Sequence, residues 1–345
     1  MLYLQLNDSF AFYTIFANQK QVMLNVQNIS FGYNTETILH NISFSVAQGQ
    51  HVSIIGESGS GKSTLIKLLY GTYDLPEGEI FWNDTPILGP KFNLVIGYDF
   101  MKYVAQEFDL MPFITVEENI GKFLSNFFPE EKHKRTTELI KLVDLEAFTH
   151  VKVKQLSGGQ KQRVALARAI ARQPEIIILD EPFSHIDNFQ KQTLRRNLFK
   201  YLKDNNISCV VATHDREDVL PYSDHMIVLN NGRIIANDTP KQLYNNPEQP
   251  LIASFFDEFN TFQEFQLGLS NSDSNVFVYA HELEVCSKSE LEVKVVQNYF
   301  RGNTYLVEVE FELKSLFFYN KQPLVLNETI YLKLTESAEQ RLALK

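Results

Sequence analysis

Nine consecutive residues, Gly56-Glu57-Ser58-Gly59-Ser60-Gly61-Lys62-Ser63-Thr64, have the types and spacing needed to hold a polyphosphate. Glycine tolerates dihedrals that turn successive backbone amides toward an anion. Lys62 is placed to neutralise the terminal phosphates, and the Ser63 hydroxyl to hold Mg²⁺. A second constellation is Ile176-Ile177-Ile178-Leu179-Asp180-Glu181, an apolar run that ends in two carboxylates. Asp180 suits the ordering of Mg²⁺ through water, and Glu181 suits the polarising of an attacking water as general base. The third is Leu156-Ser157-Gly158-Gly159-Gln160. Its serine and glycine amides open a helix whose positive end can face a phosphate.

These residues need elements to position them. Glycine is scarce, 15 of 345 residues, yet three fall within the six residues from Gly56 to Gly61. The loop follows a short apolar strand at 51–55, and Leu65, Leu68 and Leu69 recur after it at helical spacing. Further strands are predicted at 22–26, 29–33 and 42–46. The pattern turns helical from about 115 to 150, opening with the capping box Thr115-Val116-Glu117-Glu118. Another helix is predicted over about 159–172. The apolar strand at 176–179 comes next, then a long helix carrying Leu194, Leu198 and Leu202. A strand at 207–213 ends at His214, and Asn230-Asn231-Gly232 is a hairpin turn signal. Near residues 260–274 the character changes. Beyond that point Val307, Val309, Phe311 and Leu313 alternate with Glu308, Glu310 and Glu312, the mark of a half-buried strand in a small all-β domain.

Composition bounds the function. The chain carries a formal charge of −10, which gives no general reason to bind nucleic acid. Its only cysteines are Cys209 and Cys286, which fits a reducing compartment. No stretch reaches the roughly 18 apolar residues of a membrane span, so contact with a membrane is expected to be peripheral, through a partner. Residues 1–22 are expected to be an added segment unless Met23 is the start.

The motif Leu156–Gln160 resembles the signature of the ATP-binding cassette (ABC) ATPases, and residues 23–260 resemble that family throughout. The resemblance implies an α/β P-loop NTPase, with a RecA-like core and a helical subdomain at about 107–175. It implies ATP and Mg²⁺ as ligands, and a nucleotide shared between the P-loop of one chain and the signature of another. The second chain would be a copy of this one or a paralogous cassette. Gln106 resembles the glutamine that senses Mg²⁺ and faces the membrane partner, and His214 the switch histidine near the γ-phosphate. Asp187 lies in the segment that crosses the dimer, where His185 replaces the usual alanine. Tyr33 resembles the aromatic that stacks on adenine; its other reading is a core aromatic. Residues 232–247 and 252–260 look like the tail of importer-type cassettes. Residues 261–345 resemble the TOBE domain, an OB-like barrel found on ATPase subunits of sugar, polyamine, iron, sulfate and molybdate importers. Tyr279-Ala280 departs from that domain's Arg-Pro pair. The expectation is an energy-coupling ATPase at the cytoplasmic face of the inner membrane, bound to transmembrane permease subunits and served indirectly by a solute-binding protein. The alternatives are an export cassette, a soluble ABC ATPase, or a binder that no longer hydrolyses ATP.

Overall fold

The computed structural model describes residues 21–34, 36–268 and 273–343, which fall into two compact units dividing between Asn237 and Asp238. The expected extension at 1–22 lies outside the described residues, apart from Gln21 and Val22.

The first unit is built on a six-stranded sheet of order β10-β9-β3-β8-β7-β6. These strands are β3 (His51–Ile55), β6 (Met101–Val104), β7 (Ile176–Asp180), β8 (Ser208–Ala212), β9 (His225–Asn230) and β10 (Arg233–Asp238). Strands β9, β3, β8, β7 and β6 pair in parallel. Parallel strands are covered on both faces, so they read as unbroken apolar runs. The two-residue period divides such a run between two cores. Ile176 and Ile178 pack with Leu65, Val210 and Ile227, whereas Ile177 and Leu179 pack with Val164, Leu198 and Val211.

The first of these cores is closed by an antiparallel sheet of order β2-β1-β4-β5, comprising β1 (Val22–Tyr33), β2 (Glu36–Ala47), β4 (Glu77–Trp82) and β5 (Thr85–Pro86). The two short strands read from the sequence before residue 34 are one strand. Asn28 sits inside it at φ 49, at an irregularity in the pairing with β2. The second core is closed by helices α2 (Val116–Ile120), α3 (Pro129–Leu142), α4 (Gly158–Ile170) and α5 (Asn188–Asp204). The Thr115 capping box is present: Glu118 N donates to Thr115 Oγ1 at 3.2 Å, and Thr115 N donates to Glu118 Oε2 at 2.7 Å.

The second unit opens with two short helices, α7 (Pro240–Asn245) and α8 (Pro250–Phe256), numbered after α6 (Arg216–Val219) of the first unit. It is otherwise β-rich and OB/TOBE-like. Strands β11 (Phe259–Gln263) and β12 (Asn275–Tyr279) form a hairpin. The five-stranded antiparallel sheet has the order β13-β17-β14-β15-β16, with β13 (Leu283–Cys286), β14 (Leu291–Phe300), β15 (Tyr305–Phe311), β16 (Lys314–Asn320) and β17 (Thr329–Leu334). Val307 and Val309 are buried as the alternation predicts. Leu313 is not: it lies in the β15–β16 turn at φ 65 and is 93% exposed. The helix α9 (Glu336–Ala343) follows β17. Arg341 lies over the Tyr279 ring at 5.2 Å and donates from Nε to Glu282 at 2.6 Å.

Candidate nucleotide site

Four parallel strands deliver the site residues from their carboxyl ends, where ligands bind in open α/β sheets. Strand β3 runs into the loop Gly56–Gly61, and helix α1 (Lys62–Leu69) begins at its far side. Strand β6 leads to Gln106, β7 ends in Asp180 and Glu181, and β8 leads through Thr213 to His214. A cleft of about 790 Å³ is lined by Gly56, Lys62, Ser63, Gln106, Glu181 and His214, among others. Gly61 makes the loop's exit possible: its φ is 103, in the left-handed region where glycine is favoured.

The polar groups fit a Mg²⁺-polyphosphate. Ser63 Oγ donates to Asp180 Oδ1 at 3.2 Å, which sets a hydroxyl beside a carboxylate, the hard oxygen donors Mg²⁺ prefers. Lys62 Nζ donates to the carbonyls of Gly56 and Glu57, each at 2.8 Å. Burial lowers the Lys62 pKa, while the Glu181 and Asp180 carboxylates pull it back up. Burial raises the Asp180 pKa, and the Ser63 hydroxyl opposes that rise. The Ser60 hydroxyl is buried in the loop without a hydrogen-bond partner among the described residues. His214 Nδ1 lies 3.0 Å from Glu181 Oε1.

Tyr33 is not a core residue. It is 39% exposed, and its hydroxyl lies 3.4 Å from Thr64 Oγ1 in the first turn of α1. Its ring meets Phe31 and Tyr73 edge-on at 5.3 and 5.5 Å.

The signature lies elsewhere. Ser157 caps α4 through a complete box, with Gln160 N donating to Ser157 Oγ at 3.3 Å and Ser157 N to Gln160 Oε1 at 2.9 Å. Leu156–Gln160 and Asp187 are not among the described residues that line the P-loop cleft. Gly159 packs on the loop after β7 so closely that a Cβ there would meet the His185 carbonyl oxygen at 2.8 Å. His185 itself is exposed, its Nδ1 3.1 Å from Ser184 Oγ.

Sequence reasoning missed the groups that hold His214. Asp218 accepts from Thr213 Oγ1 at 2.7 Å and from the buried Arg195 Nε at 2.5 Å, and Arg195 also pairs with Asp215. Asp215 N donates to Thr213 Oγ1 at 3.0 Å. The sequence signal was an arginine on the helix face that otherwise carries Leu194 and Leu198. Tyr103 was missed too: its hydroxyl lies 3.5 Å from Asp180 Oδ2.

Known proteins place this arrangement. Residues 39–184 match the family described as ABC transporter. The chain is 37% identical over 244 residues to the Fe(3+) ions import ATP-binding protein FbpC 2 of Haemophilus influenzae, covering 68% of this chain and 67% of that protein. It is 32% identical over 322 residues to the spermidine/putrescine import ATP-binding protein PotA of Legionella pneumophila, covering 84% and 87%. Among solved structures, the ATP-binding cassette MJ0796, a dimer in a post-hydrolysis state with ADP and Pi, matches at TM-score 0.56 and 30% identity, covering 63% of this chain and 98% of that one. The chain therefore belongs to the ATP-binding proteins of ABC transporters, of the import type. It is an energy-coupling subunit that binds ATP with Mg²⁺, hydrolyses it to ADP and phosphate, and associates peripherally with the membrane. Among the described residues no helix is long and apolar enough to cross a membrane.

Proposed function

We propose that this chain works as one half of a closing pair and drives uptake of a small solute or ion through transmembrane permease subunits at the cytoplasmic face of the inner membrane. One observation carries the reading. The cleft gathers the P-loop, Gln106, Glu181 and His214, whereas Ser157 and its helix start lie outside it. A second copy, or a paralogous cassette, supplies the missing helix start. The domain limits we assign by sequence likeness are a cassette at 23–260, with its helical subdomain at 107–175, and a β domain at 261–345; residues 238–260 are thus the cassette's tail in sequence while belonging to the second compact unit.

Each residue then has a task. Gly56–Gly61 turn their amides toward the phosphates, and Tyr33 takes the adenine. Lys62 holds the terminal phosphates by charge. Ser63, Asp180 and Gln106 hold Mg²⁺, which neutralises phosphate charge when bound. Glu181 accepts a proton from the attacking water, and His214, hydrogen-bonded to it, orients that carboxylate. Ser157, Gly158, Gly159, Gln160 and Asp187 act on the partner's nucleotide. Relatives named for iron and for spermidine/putrescine import support a small ion or polyamine as the solute, with a binding protein delivering it.

The test is Glu181→Gln. Turnover should fall by ~10²–10⁴, the usual worth of a general base. MgATP binding should persist, and ATP-dependent dimers should accumulate. Near-normal turnover would remove Glu181 from its role. A protein that stays monomeric with MgATP at every concentration would remove the pair.

A further inference from the structure

Two residues beyond the signature, α4 carries Gln162, a polar side chain only 1% exposed. Its Nε2 donates to the Glu181 carbonyl oxygen at 3.1 Å, and its Oε1 accepts from the His185 amide at 3.1 Å. It thus clips both ends of the tight turn that follows β7. That turn needs holding. Glu181 sits at φ 48, a left-handed conformation that costs any residue with a Cβ. Its amide donates to Ala212 O at 2.9 Å, and its carbonyl also accepts from Ser184 N at 3.2 Å and Ser184 Oγ at 3.0 Å. Gln162 is the one of these partners that comes from the signature helix. The close approach of Gly159 to the His185 carbonyl shows independently that α4 is seated on this same stretch of backbone.

We infer that Gln162 is a positioning residue for hydrolysis: it fixes the backbone from which the Glu181 carboxylate projects and ties that backbone to the helix whose start meets the partner's nucleotide. The inference rests on the reading of Glu181 as general base. The chemistry of the side chain is specific. One end must donate to a carbonyl while the other accepts from an amide, and among side chains of this length only glutamine does both at neutral pH. An ionised glutamate would set its oxygen against the Glu181 carbonyl, and methionine would offer neither bond.

The experiment measures steady-state MgATP turnover and thermal unfolding of the full chain for Gln162→Met, Gln162→Glu and Glu181→Gln. For Gln162→Met we expect kcat to fall about 10- to 100-fold, as small displacements of catalytic groups do. KM should stay within about twofold of the wild type, because no phosphate contact is lost. For Gln162→Glu we expect kcat relative to wild type to rise several-fold as pH falls from about 8.5 to about 6. Burial raises a carboxyl pKa, and the protonated group regains the donor toward Glu181 O. A folded Gln162→Met protein with wild-type kcat overturns the inference. Should Gln162→Met not fold, a flat ratio for Gln162→Glu across that pH range overturns it instead. If Glu181→Gln is inactive while both Gln162 variants turn over normally, only the positioning role fails. If Glu181→Gln itself turns over normally, the general-base reading fails first.

Discussion

His214 Nδ1 stands 3.0 Å from Glu181 Oε1, a contact that joins the carboxyl ends of the neighbouring strands β7 and β8. A carboxylate only accepts, so in this contact Nδ1 carries the donated proton. The imidazole can therefore orient the Glu181 carboxylate through Nδ1. The buried Arg195–Asp218–Thr213 chain holds the loop that makes this contact.

Tyr33→Ala should weaken nucleotide binding and leave maximal turnover nearly unchanged. An aromatic contact is worth ~0.5–1.5 kcal/mol beyond buried area, about a two- to twelvefold loss of affinity. Because the ring is part-exposed, unfolding temperature should hold. The check is a nucleotide titration beside a melting curve. Unchanged affinity with a sharply lower melting temperature would make Tyr33 a packing residue only.

Ser157→Arg should abolish turnover while the isolated chain still binds nucleotide. The substitution removes the α4 cap as well, worth ~1 kcal/mol. Ser157→Ala removes the cap without adding bulk, so comparing the two separates the effects. Equal turnover in both variants would place the signature away from any partner's phosphate.

The two signature glycines should respond differently to an added methyl. At Gly158 a Cβ would find its nearest neighbour, His185 Cβ, at 3.8 Å, an ordinary contact. At this first helical position alanine then fits without strain and loses less chain entropy on folding than glycine. At Gly159 the same atom meets a backbone oxygen at 2.8 Å, and forcing it in costs ~1–3 kcal/mol. Melting temperature should hold or rise for Gly158→Ala and drop for Gly159→Ala. Equal melting temperatures would mean the loop yields freely.

His51, 1% exposed, makes the fold acid-sensitive. Burial, reinforced by the nearby Lys203 ammonium, lowers its pKa from 6.5 to about 4. The folded state holds the ring neutral while the unfolded chain binds a proton below its ordinary pKa. Stability is therefore complete above about pH 6.5, is lost as pH falls toward about 4, and the loss approaches ~3 kcal/mol. Urea unfolding of His51→Leu should show a stability advantage over wild type that grows across that interval. A constant difference would acquit the imidazole.

Much of this was legible in the sequence because it is local. The strand before Gly56, the caps at Thr115 and Ser157, and the carboxylates ending β7 each depend on neighbours within a few residues. The failures were of two kinds. Asn28 and Leu313 both adopt left-handed backbone, and pattern reading took the first for a break between strands and the second for a core position. The roles of Gln162 and Arg195 depend on partners that only the tertiary fold supplies, Gln162 through Glu181 and Arg195 through Asp218. No spacing rule reports such pairs.

Lys62 is only 9% exposed and rests on two loop carbonyls. Its ammonium has surrendered part of its water before any phosphate arrives. Dissolved ions weaken attraction mainly where water fills the space between charges, over a Debye length of ~10 Å at 0.1 M. A cation so placed is partly shielded from that weakening. Nucleotide affinity should therefore depend only shallowly on ionic strength, so that the subunit keeps its hold on ATP when the salinity around it changes.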